Sequence, residues 1–532
     1  MSVTVTPVTV GAPVAGAPVP PVPRDLPAST VRRVPVVTVS AAGAPLASAA
    51  ALALRAVRVR REASAPAACE LEFADPPEDL RALAVGRDVV VGLDSATDAL
   101  FTGDVVAVEH GYGPDGVHRV RVRCQDAAAR LRERSTLRAF VDVSVADLVR
   151  ELADAAGLRV EGDAGSVGGR RERLLTDGRS DLDLLTGITR RAGLWWQVDA
   201  GGGVLRVFGA DGSGATASTE RGAGLLEAAF DVTSVGVRPG RRVVGWDPVT
   251  GLVADASASA PGAAADAPGD AAVRGGFVTA GADAAEGLAR ALAGDDAARA
   301  RSVRAVLVGD PALAPGARLQ VGGVAADVAG EYLLLSAEHV VDGAGGYTTT
   351  VSSLPPAHLQ ARALLDAPSA RPAITPGTVL RVDDPDGRGR VTVGLGAYDG
   401  LETPWLPVLA LGAGEAKGLT VQPDVDDHVL VVHDPADPGR GVVLGGLRTA
   451  GGSEPSAGVS GGRAGAYALR LPGGQGVRVA ADGDRVLLEN AAGSRVELTD
   501  RGITVHSAGD LVLEAPGRGL RLRAARIDLE RG

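Results

Sequence analysis

Lysine is nearly absent from this chain: Lys417 is the only one in 532 residues, and aromatic side chains make up 3%. Cations clustered along a face hold nucleic-acid backbones, yet the net charge is −11 and no Lys/Arg run stands out. Nucleic acid is therefore not an expected partner. Cysteine is limited to Cys69 and Cys124, both in apolar strand-like runs, which suits buried free thiols better than a disulfide framework. No apolar stretch is long enough for a transmembrane helix. The N-terminus, MSVTVTPVTVGAPVAGAPVPPVPRDLP, is broken by prolines and has no basic segment of the secretory kind. Neither stable membrane anchoring nor signal-peptide export is expected.

Catalytic signatures are missing as well. There is no H-E-x-x-H, no C-x-x-C and no G-x-x-x-x-G-K-[ST]. The string Gly458-Val459-Ser460-Gly461-Gly462 has the letters of a G-x-S-x-G elbow, but that elbow needs a strand before the serine and a helix after it. Here it sits in a Gly/Ala/Ser tract. The stretch PDVDDHVLVVHDPADPGRGVVLGGL, 423–447, concentrates His and Asp. His428 and His433 are five apart in a strand-like run, so they face opposite sides and cannot chelate together. The acids Asp424, Asp426 and Asp427 read as turn residues between strands. In the tail, His506 stands alone. No cofactor or metal is expected.

What the chain does have is 73 glycines and short Val-rich runs, which favour sheets. Residues 1–33 are a Pro/Ala-rich segment without period, expected to be a flexible arm. From Val34 onward, runs such as VPVVTVS, LRAVRVRREA and ACELEFADP alternate, and Asp115-Gly116 joins two of them as a hairpin. A helical insertion is expected at 143–193. Ser144 with Asp147 opens one helix and Gly157 ends it; Ser180 with Asp183 opens a second, ended by Gly193. Leu182, Leu185, Ile188 and Ala192 share a face of the second helix.

The adjacent Trp195 and Trp196 lie in a strand and so point to opposite faces, as core rather than as one stacking platform. Residues 253–276, VADASASAPGAAADAPGDAAVRGG, read as a mobile low-complexity loop, and a helix follows. The first region runs from 34 to 355, a linker from 356 to 373, a compact all-β block from 374 to 450, and a Gly/Ser linker from 451 to 466.

The tail, 467–532, repeats short alternating pairs: Val477/Val479, Val486/Leu488, Val496/Leu498, Ile503/Val505, Leu511/Leu513, Leu520/Leu522 and Ile527/Leu529. The recurrence is about eight residues, as in a solenoid with one short strand per course. Such strands expose one apolar face that a thin ladder cannot bury alone. Copies of the chain are expected to cover it, with these pairs lining the axis of a homotrimer. The alternative is an ordinary hairpin meander, which leaves the Val/Leu faces bare.

These blocks, in this order, resemble VgrG-type spike proteins of contractile injection systems and tailed-phage baseplates. In 374–447, Gly389-Arg390-Val391, then Trp405 with Val408, then Pro423 to Val431, then Asp437-Pro438 to Gly445-Gly446 match the OB-fold pattern of that family. Asp426 stands where a glycine is usual and Gly441 where a proline is. The first region resembles the late-control D-type hub in LDLLTGITRRAGLWWQVDAGGGVLRVF and VGDPALAPGARLQVGGV. The tail resembles the trimeric β-helical needle.

The resemblance implies a mainly β chain: two β-barrel-type hub regions with a small helical insertion, an OB-fold barrel and a C-terminal triple-stranded β-helix formed by the trimer. It implies a structural adaptor between the inner tube and the needle, without enzymatic activity. Implied partners are the inner tube protein, baseplate proteins, a PAAR-type tip protein docking at Ile527, Leu529, Arg531 and Gly532, and effector cargo. Assembly in the bacterial cytoplasm as part of a phage-tail-like particle is expected. A further enzyme domain is not expected, either in the Gly/Ser tract or after Gly532. The competing readings are a spike-borne cell-wall hydrolase and a carbohydrate-binding tail module built on Trp195, Trp196 and Trp246.

Overall fold

The computed structural model describes Arg24–Asp25 and residues 34–530, apart from 78–79, 95–98, 163–169, 247–251, 279–280, 360–371, 415–416, 436, 448–458, 461 and 482–483. Most of the arm, most of the 356–373 linker and much of the Gly/Ser tract thus lie outside the described residues. So do Arg531 and Gly532, and two residues of the G-x-S-x-G string. The chain divides into two compact units, residues 1–447 and 448–532.

The first unit is organised by one 15-stranded sheet. It begins with Gly330–Leu333, Arg318–Gly322 and Thr216–Arg221, passes through Arg301–Val308 and Ser336–Asp342, and crosses to Leu54–Glu62. From there it continues through Ala68–Ala74, His118–Gln125, Phe101–Tyr112, Asp88–Leu93 and Val37–Ala41. Two separate core clusters divide this sheet: Val57, Leu71, Phe73, Val91 and Val122 in one, Val303, Leu307, Leu319 and Val351 in the other. Alternation decides which side chains go in. In Ala68–Ala74, Cys69, Leu71 and Phe73 are buried while Glu70 and Glu72 face outward. Within the arm, Arg24–Asp25 pair in parallel with Ala217 and Ser218, so this part of the predicted flexible segment is a strand.

The helical insertion forms where the capping signals place it. Ser144 Oγ accepts from the Asp147 N–H, and the Asp147 carboxylate accepts from the Ser144 N–H, closing a capping box on the helix Val145–Ala155. Ser180 likewise accepts from the Asp183 N–H at the start of Asp181–Arg191. Gly157 and Gly193 take positive φ at the two stops. Leu182, Leu185, Ile188 and Ala192 all enter the insertion core. Trp196 joins that core, whereas Trp195 packs with Phe208, Leu335 and Leu359 on the other side of the strand. Both rings are buried, which leaves no stacking platform there; the side chain of Trp246 lies outside the described residues.

Residues 253–276 correct the expectation of a mobile loop. Val253–Ser259 and Ala272–Val278 flank Gly240–Trp246 in a three-stranded sheet. The alternating small residues Ala254, Ala256 and Ala258 turn inward against Ala285, Ala289 and their neighbours on the helix Ala282–Ala300. Alanine permits close approach of helix to sheet. It also hides the period-two pattern, because serine and aspartate between the alanines read as linker composition.

The OB block is a five-stranded sheet in the order Leu401–Glu402, Thr392–Leu395, Ala373–Arg381, His428–Asp434, Asp437–Gly446. A parallel bridge from Val408 to Val443 closes it into a barrel. Val379, Val391, Val393, Leu395, Leu406, Val429, Val431 and Val443 fill the interior.

Candidate functional site

In the second unit, five short strands form an antiparallel meander: Ala466–Arg470, Gly476–Ala480, Arg485–Glu489, Arg495–Thr499 and Gly502–His506. The register sorts their side chains completely. Tyr467, Val479, Val486, Leu498 and Ile503 stand opposite one another in one row; Leu469, Val477, Leu488, Val496 and Val505 form the next. Residues two apart on a strand share a face, so all ten large apolar side chains lie on the same side of the sheet. Eight of them are the predicted pairs; Tyr467 and Leu469 extend the rows by one strand. The other side carries Arg478, Arg485, Arg495 and Glu497, with Glu497 paired to Arg485 at 2.7 Å and to Arg495 at 3.7 Å. Leu487 is buried among them.

Within the second unit, no described residue covers the apolar side. Ile503 is 71% exposed, Val505 58% and Leu488 52%. The predicted strands beyond this point do not form within one chain. Leu511, Leu513, Leu520, Leu522, Ile527 and Leu529 are exposed and outside any strand. Residues 507–530 run on past the edge strand Gly502–His506 without pairing to it. His506 is also exposed, and no group of three or more His, Cys, Asp or Glu able to hold a metal occurs among the described residues.

The OB signature residues hold the barrel together. Gly389 adopts φ +70 in the turn before the second strand. Buried Arg390 grips Asp384 through Nε at 3.0 Å and Nη2 at 2.7 Å, and reaches Asp386 at 2.9 Å. Its guanidinium, with the backbone N–H groups of Asp386, Arg388 and Arg390, holds the Asp384 carboxyl well below the usual carboxylate range. Val391 is fully buried, and Trp405 is covered by the Arg381 guanidinium 4.9 Å from its ring centre.

Half-buried Pro423 precedes the turn in which Asp426 adopts φ +72, the conformation that favours the glycine usual at this place. At Gly441 a Cβ would approach the Val432 carbonyl to 2.6 Å, so close strand packing there excludes a side chain. Gly445 takes φ +142 at the end of the strand that Asp437 and Pro438 begin. His428 is exposed and His433 buried on the opposite side of the strand, and the two do not converge.

A junction between hub and OB barrel is illegible in the sequence. The hub strand Arg171–Leu175 places Leu175, 1% exposed, inside the OB core, and Ala139 from the paired strand packs against the same cluster. Arg171 lies 3.5 Å from Asp437, which Arg440 also holds at 2.9 Å. Burial, together with the nearby Arg440, pushes the Arg171 guanidinium down to about 9. Arg173 donates to the Glu402 carbonyl at 3.0 Å and pairs with its carboxylate at 3.2 Å. Arg171, Arg173 and Leu175 carry no signal that links them to residues more than 200 positions away.

The phage tail baseplate hub (GPD) family matches residues 60–344, and the type VI secretion system/phage-baseplate injector OB domain matches residues 375–447. No curated protein matches the chain. Among solved structures, the 43 kDa tail protein of prophage MuSo2 from Shewanella oneidensis is similar at 16% identity and TM-score 0.47, over 60% of this chain and 98% of that one. An E. coli component of the type VI secretion system is similar at 15% identity and TM-score 0.49, over 77% of this chain and 99% of that one. A Francisella PdpA-VgrG complex is similar at 8% identity and TM-score 0.49, over 90% of this chain and 81% of that one.

Proposed function

The chain belongs to the phage tail baseplate hub family, and on that premise we propose that it is the structural central spike of a contractile injection system, working as a homotrimer. The observation that carries this reading is the bare apolar side of the 466–506 sheet, downstream of a hub and an injector-type OB domain. Three copies turn these sides toward a common axis. Half-exposed apolar side chains gain on the order of 1 kcal/mol each on full burial. Ten per chain give ~10 kcal/mol, comparable to the stability of a whole domain.

The unstranded segment 507–530 then pairs with the sister chains, extending the needle. Its end, Ile527 and Leu529 with Arg531 and Gly532, docks a PAAR-type tip protein. The hub receives the inner tube and its baseplate neighbours, and effector cargo travels with the spike. Assembly takes place in the bacterial cytoplasm. The Leu175 plug and the Arg171–Asp437–Arg440 pairs join hub to barrel, so a push on the hub reaches the barrel without slack.

The role is mechanical rather than catalytic. Purified protein is expected to leave peptidoglycan intact, and release of muropeptides would favour the hydrolase reading. Deleting 467–532 is expected to yield a soluble hub that no longer recruits the tip protein; unchanged recruitment would refute the docking assignment.

A further inference from the structure

Both cysteines of the chain lie on neighbouring strands of the hub sheet. Cys69 on Ala68–Ala74 and Cys124 on His118–Gln125 are direct partners in the antiparallel register. Val59 stands opposite Cys69 on one flank and Val105 opposite Cys124 on the other, so the four form one inward row across four strands. Both thiols are free, and they are 2% and 1% exposed. Directly opposed residues on antiparallel strands project to the same side with Cα atoms about 4.5–5.5 Å apart. A disulfide accepts Cα separations of about 4.4–6.8 Å. The register therefore brings the two cysteines within the Cα range of a disulfide, on one side of the sheet.

We propose that Cys69 and Cys124 are an oxidation site of the hub, a cross-strand dithiol that hydrogen peroxide closes into a disulfide. One thiol attacks the peroxide, breaking the O–O bond and giving a sulfenic acid and water. The second thiol then displaces hydroxide from that sulfur, forming the S–S bond and a second water. The two sulfurs lose two electrons and the peroxide gains them. The bond ties two neighbouring strands around the intervening segment that holds Asp88–Leu93 and Phe101–Tyr112. Burial pushes the Cys124 thiol up to about 12 and raises that of Cys69 well above its ordinary value. Thiolate is consequently scarce, and closure is slow.

The test uses the full chain at pH 8 with hydrogen peroxide and urea below the unfolding transition, which admits local opening of the hub. The expected result is a fall from two titratable thiols to none on later denaturation. Peptide mapping should show a Cys69–Cys124 link within one chain, and the hub melting transition should rise by several degrees. Cys69→Ser and Cys124→Ser should each abolish the rise. Two thiols still free after incubation, two separate sulfinic acids, or links between chains would each overturn the proposal.

Discussion

Arg390 is the side chain on which the OB turn depends, since it is buried against an equally buried Asp384. Removing one partner of such a pair leaves an uncompensated charge, at a cost of about 3 kcal/mol. Arg390→Ala is therefore expected to lower the OB unfolding midpoint in denaturant while leaving the hub transition in place. Two other buried groups contribute to the pH response of the hub with opposite signs. His339, beside the Tyr347 and Thr349 hydroxyls at 3.1 and 3.0 Å, is pushed by burial down to about 3. Asp126, which accepts from the Ala67 and Ala128 N–H groups, is pushed by burial up to about 7.

An unfolded histidine takes its proton near pH 6.5. The His339 contribution is thus whole above that pH and is lost as pH falls toward 3. The Asp126 contribution has the opposite sign, being whole below about pH 4 and lost as pH rises through 7. In the parent the two offset each other between about pH 4 and 6.5. The hub of His339→Gln should gain stability on going from pH 7 to pH 5 relative to the parent, and that of Asp126→Asn should lose it. Parallel melting-temperature profiles for all three proteins would contradict these assignments.

At the scale of elements, the tail sheet offers the sharpest test of side-chain sorting. Val496→Asp with Leu498→Asp puts six charges on the proposed axis of a trimer, where each is unpaired and dry. Assembly should fail, and the hub and OB transitions should persist. Leu175→Ala should destabilise the OB barrel by roughly 2–4 kcal/mol, the usual cost of emptying a core leucine site. Amide exchange should then quicken in 373–446 more than in the hub sheet.

How far these elements were readable follows from the range of the forces that fix them. The two helices opened by Ser144 and Ser180 are set by contacts three residues apart, and the sequence spells those contacts out. The tail rows follow from period-two alternation and turn spacing, so eight of the ten side chains could be named in advance. Val253–Ser259 escaped because alanine buries without looking apolar enough. The Leu175 plug escaped because neither partner carries a local mark of the other. The strands expected around Leu511, Leu520 and Ile527 are a different case: their alternation is plain, but alternation says which side chains share a face and not which chain supplies the partner strand.

For the whole molecule, the number of copies in the assembled particle is decisive. The hub and OB barrel bury their own cores, whereas the second unit carries ten large apolar side chains on one face that its described residues leave exposed or half-buried. Light scattering on the intact purified chain, coupled to size separation, reads that count directly. The prediction is a particle of three times the 53.4 kDa chain mass, unchanged on dilution through the micromolar range. A folded particle of one chain mass under the same conditions would contradict the trimeric spike.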